Sequence, residues 1–114
     1  MHAPDKLRLR TETKEGRCTV YISGELDLEV ASHMRAVMEP LVELSDRILT
    51  LNLQELQYID STGIGILISV LKARSARSGA FTVEAIPPHI RKLFDMTGIT
   101  PFLNQTGPSA AQAH

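Results

Sequence analysis

The chain has 114 residues, 43% of them hydrophobic and 22% charged, and this composition fits one globular domain with a core of its own. Its 12 Lys and Arg residues nearly balance 13 Asp and Glu residues, which argues against a nucleic-acid-binding surface. One cysteine excludes an internal disulfide, four scattered histidines lack metal-ligand spacing, and apolar stretches are too short to cross a bilayer. We therefore expect a cytoplasmic protein with no metal and no other cofactor.

Two strands are predicted near the N-terminus, because apolar and polar residues alternate there with the period of a strand. The first begins at Leu7 and the second covers Cys18 to Ser23. Glu15-Gly16 between them is typical of a hairpin turn, which would make the pair antiparallel. Since each strand keeps one polar face, we expect the helices to gather mainly on one face of the sheet.

A first helix is predicted from Glu29 to Leu44, where apolar residues recur at helical spacing. Pro40 falls inside this stripe, so we expect a kink or an early end. The alternating residues from Leu49 to Leu53 predict the third strand, followed by a loop.

A second helix is predicted to begin at Ser61 or Thr62 and to end near Ser78, where Gly79 stops it. Cations collect in its last turns and suit the negative end of the helix dipole. The residues expected to face the core are Ile64, Leu67, Ile68 and Leu71, and the cations are Lys72, Arg74 and Arg77.

The rest of the chain predicts a fourth strand from Phe81 to Ala85, then a third helix that opens at Pro88 and ends at Gly98. A short edge strand near Phe102 would follow. We assign residues 5–103 to the domain and 104–114 to a disordered tail of small and polar residues. The order of elements predicts an α/β domain with a mixed sheet of four to five strands.

Ser61 is the residue on which the functional interpretation depends. It follows Asp60 at the predicted start of the second helix, where a hydroxyl could cap unpaired backbone N–H groups. The same helix end also favours an anion, so a phosphate on this serine would be compatible with the fold. Residue spacing alone does not distinguish a serine that only caps the helix from one that is phosphorylated.

Three motifs together give the chain a specific resemblance. The segments Gly24–Asp27, Asp60–Gly65 and Pro88–Gly98 are similar, in order and separation, to those of the anti-sigma-factor antagonist family of STAS domains. The resemblance runs from about Leu7 to Phe102 and implies a single STAS-like domain. It also implies that the protein is not an enzyme but a binding module.

The resemblance further implies a partner-switching role. The unphosphorylated protein would bind an anti-sigma factor that is also a serine kinase, free the sigma factor, and be inactivated when that kinase phosphorylates Ser61. A phosphatase would reverse the modification, and neither nucleic acid nor membrane would take part. The residues that would meet the partner are Asp27, Asp60, Ser61, Thr62, Gly63 and Ile64.

Other interpretations stay open at this point. Asp27 could simply cap the first helix. The domain could be an accessory or scaffold subunit of a transporter or signalling assembly, in which Ser61 is not phosphorylated. A small hydrolase is disfavoured, because no histidine base lies in the segment around Ser61.

Overall fold

The computed structural model describes residues 6–44, 46–77 and 79–105, with backbone alone for 104–105. Six strands, three helices and two one-turn 3-10 helices follow one another in this part of the chain. They are β1 (Leu7–Lys14), β2 (Arg17–Leu26), the first 3-10 turn (Leu28–Val30), α1 (Ala31–Val42), β3 (Ile48–Asn52), β4 (Leu56–Ile59), α2 (Ser61–Ala76), β5 (Phe81–Glu84), α3 (Pro88–Thr97), the second 3-10 turn (Thr100–Phe102) and β6 (Asn104–Gln105).

The sheet is mixed and five strands wide, in the order β1-β2-β3-β5-β6. The predicted hairpin is confirmed, since β1 and β2 are antiparallel and both turn residues, Glu15 and Gly16, have positive φ. The strands β2, β3 and β5 are parallel to one another, as expected of strands joined through helices. The predicted α/β class and mixed sheet are therefore confirmed.

Strand β4 corrects the prediction of a loop after β3. Residues 53–55 form a short turn after β3. Strand β4 then pairs in parallel with the end of β2, where Leu26 lies opposite Ile59. Its buried residues, Leu56 and Ile59, are three positions apart, so the segment lacks the alternation by which strands are recognised. This strand delivers the chain directly to the start of α2.

The core lies between the helices and one face of the sheet, as the alternating pattern predicts. The opposite face carries polar side chains that bond across strands. Thr50 is fully buried there, and its hydroxyl shares a 2.8 Å hydrogen bond with Thr82 while accepting one of 2.9 Å from Arg17. A buried hydroxyl with two partners costs little, so this position tolerates a polar residue.

Helix α1 ends early after Pro40, as predicted, whereas the set of buried residues on α2 differs from the prediction. Helix α1 ends at Val42, two residues after Pro40 and two before the predicted end. The buried face of α2 differs from the predicted stripe, because Ile68 and Leu71 are only partly buried. The buried residues of α2 are Gly63, Ile64, Ile66, Leu67, Val70 and Arg74.

Arg74 lies in the last turn of α2, as predicted, but its side chain is fully buried, which the sequence did not indicate. Its guanidinium donates to the carbonyl oxygens of Val42, Leu44, Arg47 and Ala80 at 2.5–3.0 Å. These carbonyls belong to the end of α1, the loop after it and the approach to β5. The side chain thus joins these three segments through hydrogen bonds from a single guanidinium.

The C-terminal part agrees with prediction up to α3, which begins at Pro88 and ends before Gly98. Residues around Phe102 form the second 3-10 turn, and the expected edge strand follows it as β6. Asn104 and Gln105, assigned to the tail, therefore pair with β5, while residues 106–114 lie outside the described residues. In the part of the chain that is described, no helix is long and apolar enough to cross a membrane.

Candidate functional site

Ser61 is the first residue of α2, immediately after β4 and Asp60, and its side chain is exposed. The position satisfies a necessary condition for modification, because a kinase can reach an exposed hydroxyl without unfolding the domain. A serine inside the core would have ruled the interpretation out.

The cap of α2 is Asp60, not Ser61, which corrects the capping role considered for the serine. Asp60 has extended backbone, and its Oδ1 accepts from the backbone N–H of Gly63 at 2.9 Å. The carbonyl of Asp60 accepts from Ile64 N at 2.9 Å, so the first turn is bonded to this one residue. The Ser61 hydroxyl is consequently not needed to begin the helix.

Asp60 also links two distant segments. Its Oδ2 accepts from the backbone N–H of Leu28 at 3.3 Å, although the two residues are 32 positions apart. The backbone N–H of Asp60 in turn donates to the carbonyl of Leu26 at 3.3 Å. The first 3-10 turn and the start of α2 are therefore held beside each other at one end of the sheet.

Asp27 caps the first 3-10 turn, which leads into α1, and this confirms the capping interpretation. Its Oδ1 accepts from Glu29 N at 3.0 Å, while its Oδ2 accepts from Lys6 Nζ at 2.8 Å. The hydrogen bond from the Lys6 ammonium holds the pKa of the Asp27 carboxyl below its ordinary value of 3.8. Lys6 also pairs with Glu29, and the two carboxylates raise the pKa of its ammonium group.

Gly63 is buried because α2 approaches the end of β2 very closely at this point. A Cβ on Gly63 would lie 2.6 Å from the carbonyl oxygen of Leu26 and 2.7 Å from Cγ1 of Ile59. Those separations are too short for real atoms, so any side chain here would push the helix away from the sheet. By contrast, a Cβ on Gly65 would meet nothing within 4 Å.

The structure brings all six predicted partner-binding residues to this end of the sheet, but the six differ in how much they are exposed to solvent. Asp27, Asp60 and Thr62 are partly exposed and Ser61 is exposed. Gly63 and Ile64 are buried, with Ile64 only 8% exposed, so they shape the site mainly by packing. Their contact with a partner stays a prediction.

Two residues of this site, Leu28 and Lys6, were not found from the sequence. Leu28 is 72% exposed, and nothing in its spacing separates it from the apolar residues of the helix that follows. Lys6 comes to Asp27 only through the pairing of β1 with β2. Among the described residues, no group of three or more His, Cys, Asp or Glu side chains is arranged to hold a metal.

Comparison with known proteins gives one consistent result. A protein-family model described as the STAS domain matches residues 8–113, which includes most of the segment predicted as a tail. The anti-sigma-B factor antagonist of Staphylococcus aureus is 29% identical over 93 residues, covering 82% of this chain and 86% of that protein.

Solved structures show the same fold. The crystal structure of an anti-sigma factor antagonist from Mycobacterium paratuberculosis has a TM-score of 0.78 and 26% identity, covering 90% of this chain and 87% of that one. SpoIIAA, an anti-sigma factor antagonist, gives a TM-score of 0.72 at 21% identity in its unphosphorylated form, covering 91% of this chain and 92% of that one. Its phosphorylated form gives 0.64 at 23% identity, covering 91% and 96%. At these identities the SpoIIAA structures support the fold alone.

Proposed function

The chain belongs to the STAS domain family, and from this premise we propose that it is an anti-sigma-factor antagonist whose binding is switched off by phosphorylation of Ser61. Its partners are an anti-sigma factor with serine kinase activity and a phosphatase that acts on the phosphoserine. It works in the cytoplasm, binds through the residues around Ser61, and catalyses no reaction itself. The observation that carries the proposal is an exposed serine at the start of a helix that a neighbouring aspartate already caps.

The covalent step is a phosphoryl transfer from ATP. The Ser61 hydroxyl oxygen forms a bond to the γ-phosphorus, the bond from that phosphorus to the bridging oxygen breaks, and ADP leaves while the hydroxyl proton passes to a base of the kinase. All the catalytic groups belong to the kinase. This chain contributes the hydroxyl and the surface that positions it.

The geometry around Asp60 explains how a phosphate could stop binding without unfolding the domain. The hydrogen bonds that begin α2 run to Asp60, so modification of Ser61 leaves the helix cap in place. The phosphate adds about 1.5–2 negative charges beside a carboxylate and, in the product complex, opposite the phosphates of ADP. Two unit charges about 4 Å apart near a surface repel by roughly 4 kcal/mol, enough to weaken binding by more than tenfold.

The test uses the anti-sigma kinases encoded in the same genome, each purified and incubated with this protein and ATP. We expect one of them to add a single phosphate to the wild type, detected as intact mass, and none to Ser61→Ala. Ser69→Ala is the matched control, since Ser69 is also an exposed serine of α2 and should leave phosphorylation unchanged. Phosphate on Ser61→Ala, or on no protein with any kinase, would reject the proposal.

Affinity gives the second measurement. In calorimetric titrations with the phosphorylating kinase, Ser61→Ala should bind like the wild type and stay bound in the presence of ATP. Ser61→Glu should bind at least about tenfold more weakly, because it places a negative charge at the position where the partner contacts the serine hydroxyl. Equal affinity of all three proteins would contradict the switch.

A further inference from the structure

Leu28 is a large apolar side chain left in solvent beside the Ser61 site. It is 72% exposed, whereas the neighbouring apolar residues Leu26 and Val30 are 0% and 1% exposed. Its backbone N–H is bonded to Asp60, the residue that caps α2. An exposed leucine stabilises nothing in the isolated domain, but it can stabilise a complex in which its surface leaves water.

The backbone that presents Leu28 is held on both sides. Before it, Asp27 caps the first 3-10 turn and is paired with Lys6; after it, Glu29 pairs with the same lysine. The bond to Asp60 fixes the turn against the start of α2. A side chain presented from fixed backbone loses less conformational entropy on binding than one in a mobile loop.

The surroundings of Leu28 are acidic. The carboxylates of Asp27, Glu29 and Asp60 lie on the flanking positions or bond to its backbone, and Lys6 supplies one positive charge among them. Glu29 has 67% of its side chain exposed, so this charge faces solvent. A surface of this kind is complementary to an apolar socket surrounded by basic groups.

We propose that Leu28 is an anchor residue that enters an apolar socket rimmed by basic groups on the anti-sigma kinase. The inference rests on the proposed function and adds to it the kind of surface that the partner must present. Leu28 sets the strength of docking, while Ser61 sets whether docking survives the kinase reaction. The basic rim faces the acidic turn, whereas the nucleotide phosphates face Ser61. The two positions therefore contact different groups of the partner.

The experiment compares Leu28→Ala with Met96→Ala in titrations against the kinase that phosphorylates the wild type. Met96 is the matched control, because it is 74% exposed and lies on α3. We expect Leu28→Ala to bind at least about tenfold more weakly and Met96→Ala to bind within about twofold of the wild type. Neither variant should change the urea midpoint, since both side chains are outside the core.

Phosphorylation kinetics separate anchoring from chemistry. Loss of an anchor remote from the reacting hydroxyl should raise KM for the protein substrate by a similar factor and leave kcat unchanged. A fall in kcat at unchanged KM would instead place Leu28 in the reaction geometry and overturn the anchor role.

The basic rim is tested by salt. Wild-type affinity should fall as ionic strength rises from about 0.05 to 0.5 M, and Glu29→Gln should make this dependence shallower. An affinity independent of salt in both proteins would overturn the basic rim.

The possible outcomes distinguish this inference from the proposed function. If the kinase phosphorylates Ser61 and Leu28→Ala binds like the wild type, the anchor is wrong and the function stands. If no kinase of the genome binds the wild type, both are wrong. If sedimentation shows a dimer that Leu28→Ala dissociates while kinase affinity is unchanged, Leu28 serves self-association and the anchor is again wrong.

Discussion

Replacing Asp60 by alanine tests the centre of the site, because one carboxylate there makes two structural bonds. The variant loses the cap at Gly63 N, which is worth about 0.5–2 kcal/mol in known helices. It also loses the 3.3 Å bond from Leu28 N, which at this length belongs near the lower end of about 0.5–1.5 kcal/mol. We therefore expect Asp60→Ala to lower the free energy of unfolding by about 1–3 kcal/mol.

Asp60→Asn divides this loss into its parts. One amide oxygen can still accept from Gly63 N, while the amide NH2 group cannot accept from Leu28 N, so the cap is retained and the link to the first 3-10 turn is lost. We expect a decrease of about 0.5–1.5 kcal/mol in stability. Because that hydrogen bond holds the backbone of Leu28 in place, the affinity of the protein for the kinase should fall in both Asp60→Ala and Asp60→Asn.

Urea unfolding followed by circular dichroism measures these free energies, with the slope checked for constancy. Asp46→Ala is the matched control, since the Asp46 side chain is 81% exposed and its ion pair with Arg47 is 3.9 Å long. It should change stability by less than about 0.5 kcal/mol. If Asp60→Ala unfolds at the same urea concentration as Asp46→Ala, the bonds assigned to Asp60 do not hold the site together.

Four further variants probe the fold, each by urea unfolding. Arg74→Met should cost about 3–5 kcal/mol, since four carbonyl oxygens lose the guanidinium as donor, although those of Leu44 and Ala80 keep a backbone donor; a loss below about 1 kcal/mol would contradict that role. Gly63→Ala should cost about 1–3 kcal/mol through its clash with β2, whereas Gly65→Ala, which meets nothing within 4 Å, should be neutral or slightly stabilising. Equal effects of the two alanines would refute the close approach.

The last variant, Lys6→Met, should lower stability by an amount that depends on pH in a defined direction. The Asp27 pKa is lowered by Lys6, so the ion pair adds stability above the ordinary carboxyl pKa of 3.8 and loses it as the pH falls through the lowered value. The stability difference between wild type and variant should therefore be constant near neutral pH and shrink in acid. A difference that grows in acid would contradict the pairing.

Much of this protein follows from local patterns that act within a few residues. Alternation predicts the strands of the hairpin, Glu15-Gly16 predicts the turn, and Pro88 with Gly98 predicts the limits of α3, because backbone geometry at these positions depends on the residues themselves. The three motifs Gly24–Asp27, Asp60–Gly65 and Pro88–Gly98 together likewise indicated the family from the sequence alone.

Contacts between distant segments decided the rest. Asp60 and Ser61 are both good capping residues, and the choice between them depends on where β4 ends beside β2, which is a matter of strand pairing. Arg74 is a plausible surface cation until the carbonyls of residues 27–32 positions away gather around it. The place of Leu28 beside the Ser61 site likewise depends on a hydrogen bond across 32 residues. Sequence patterns report periodicity and local bonding, whereas burial and pairing across the fold arise only when the chain has packed.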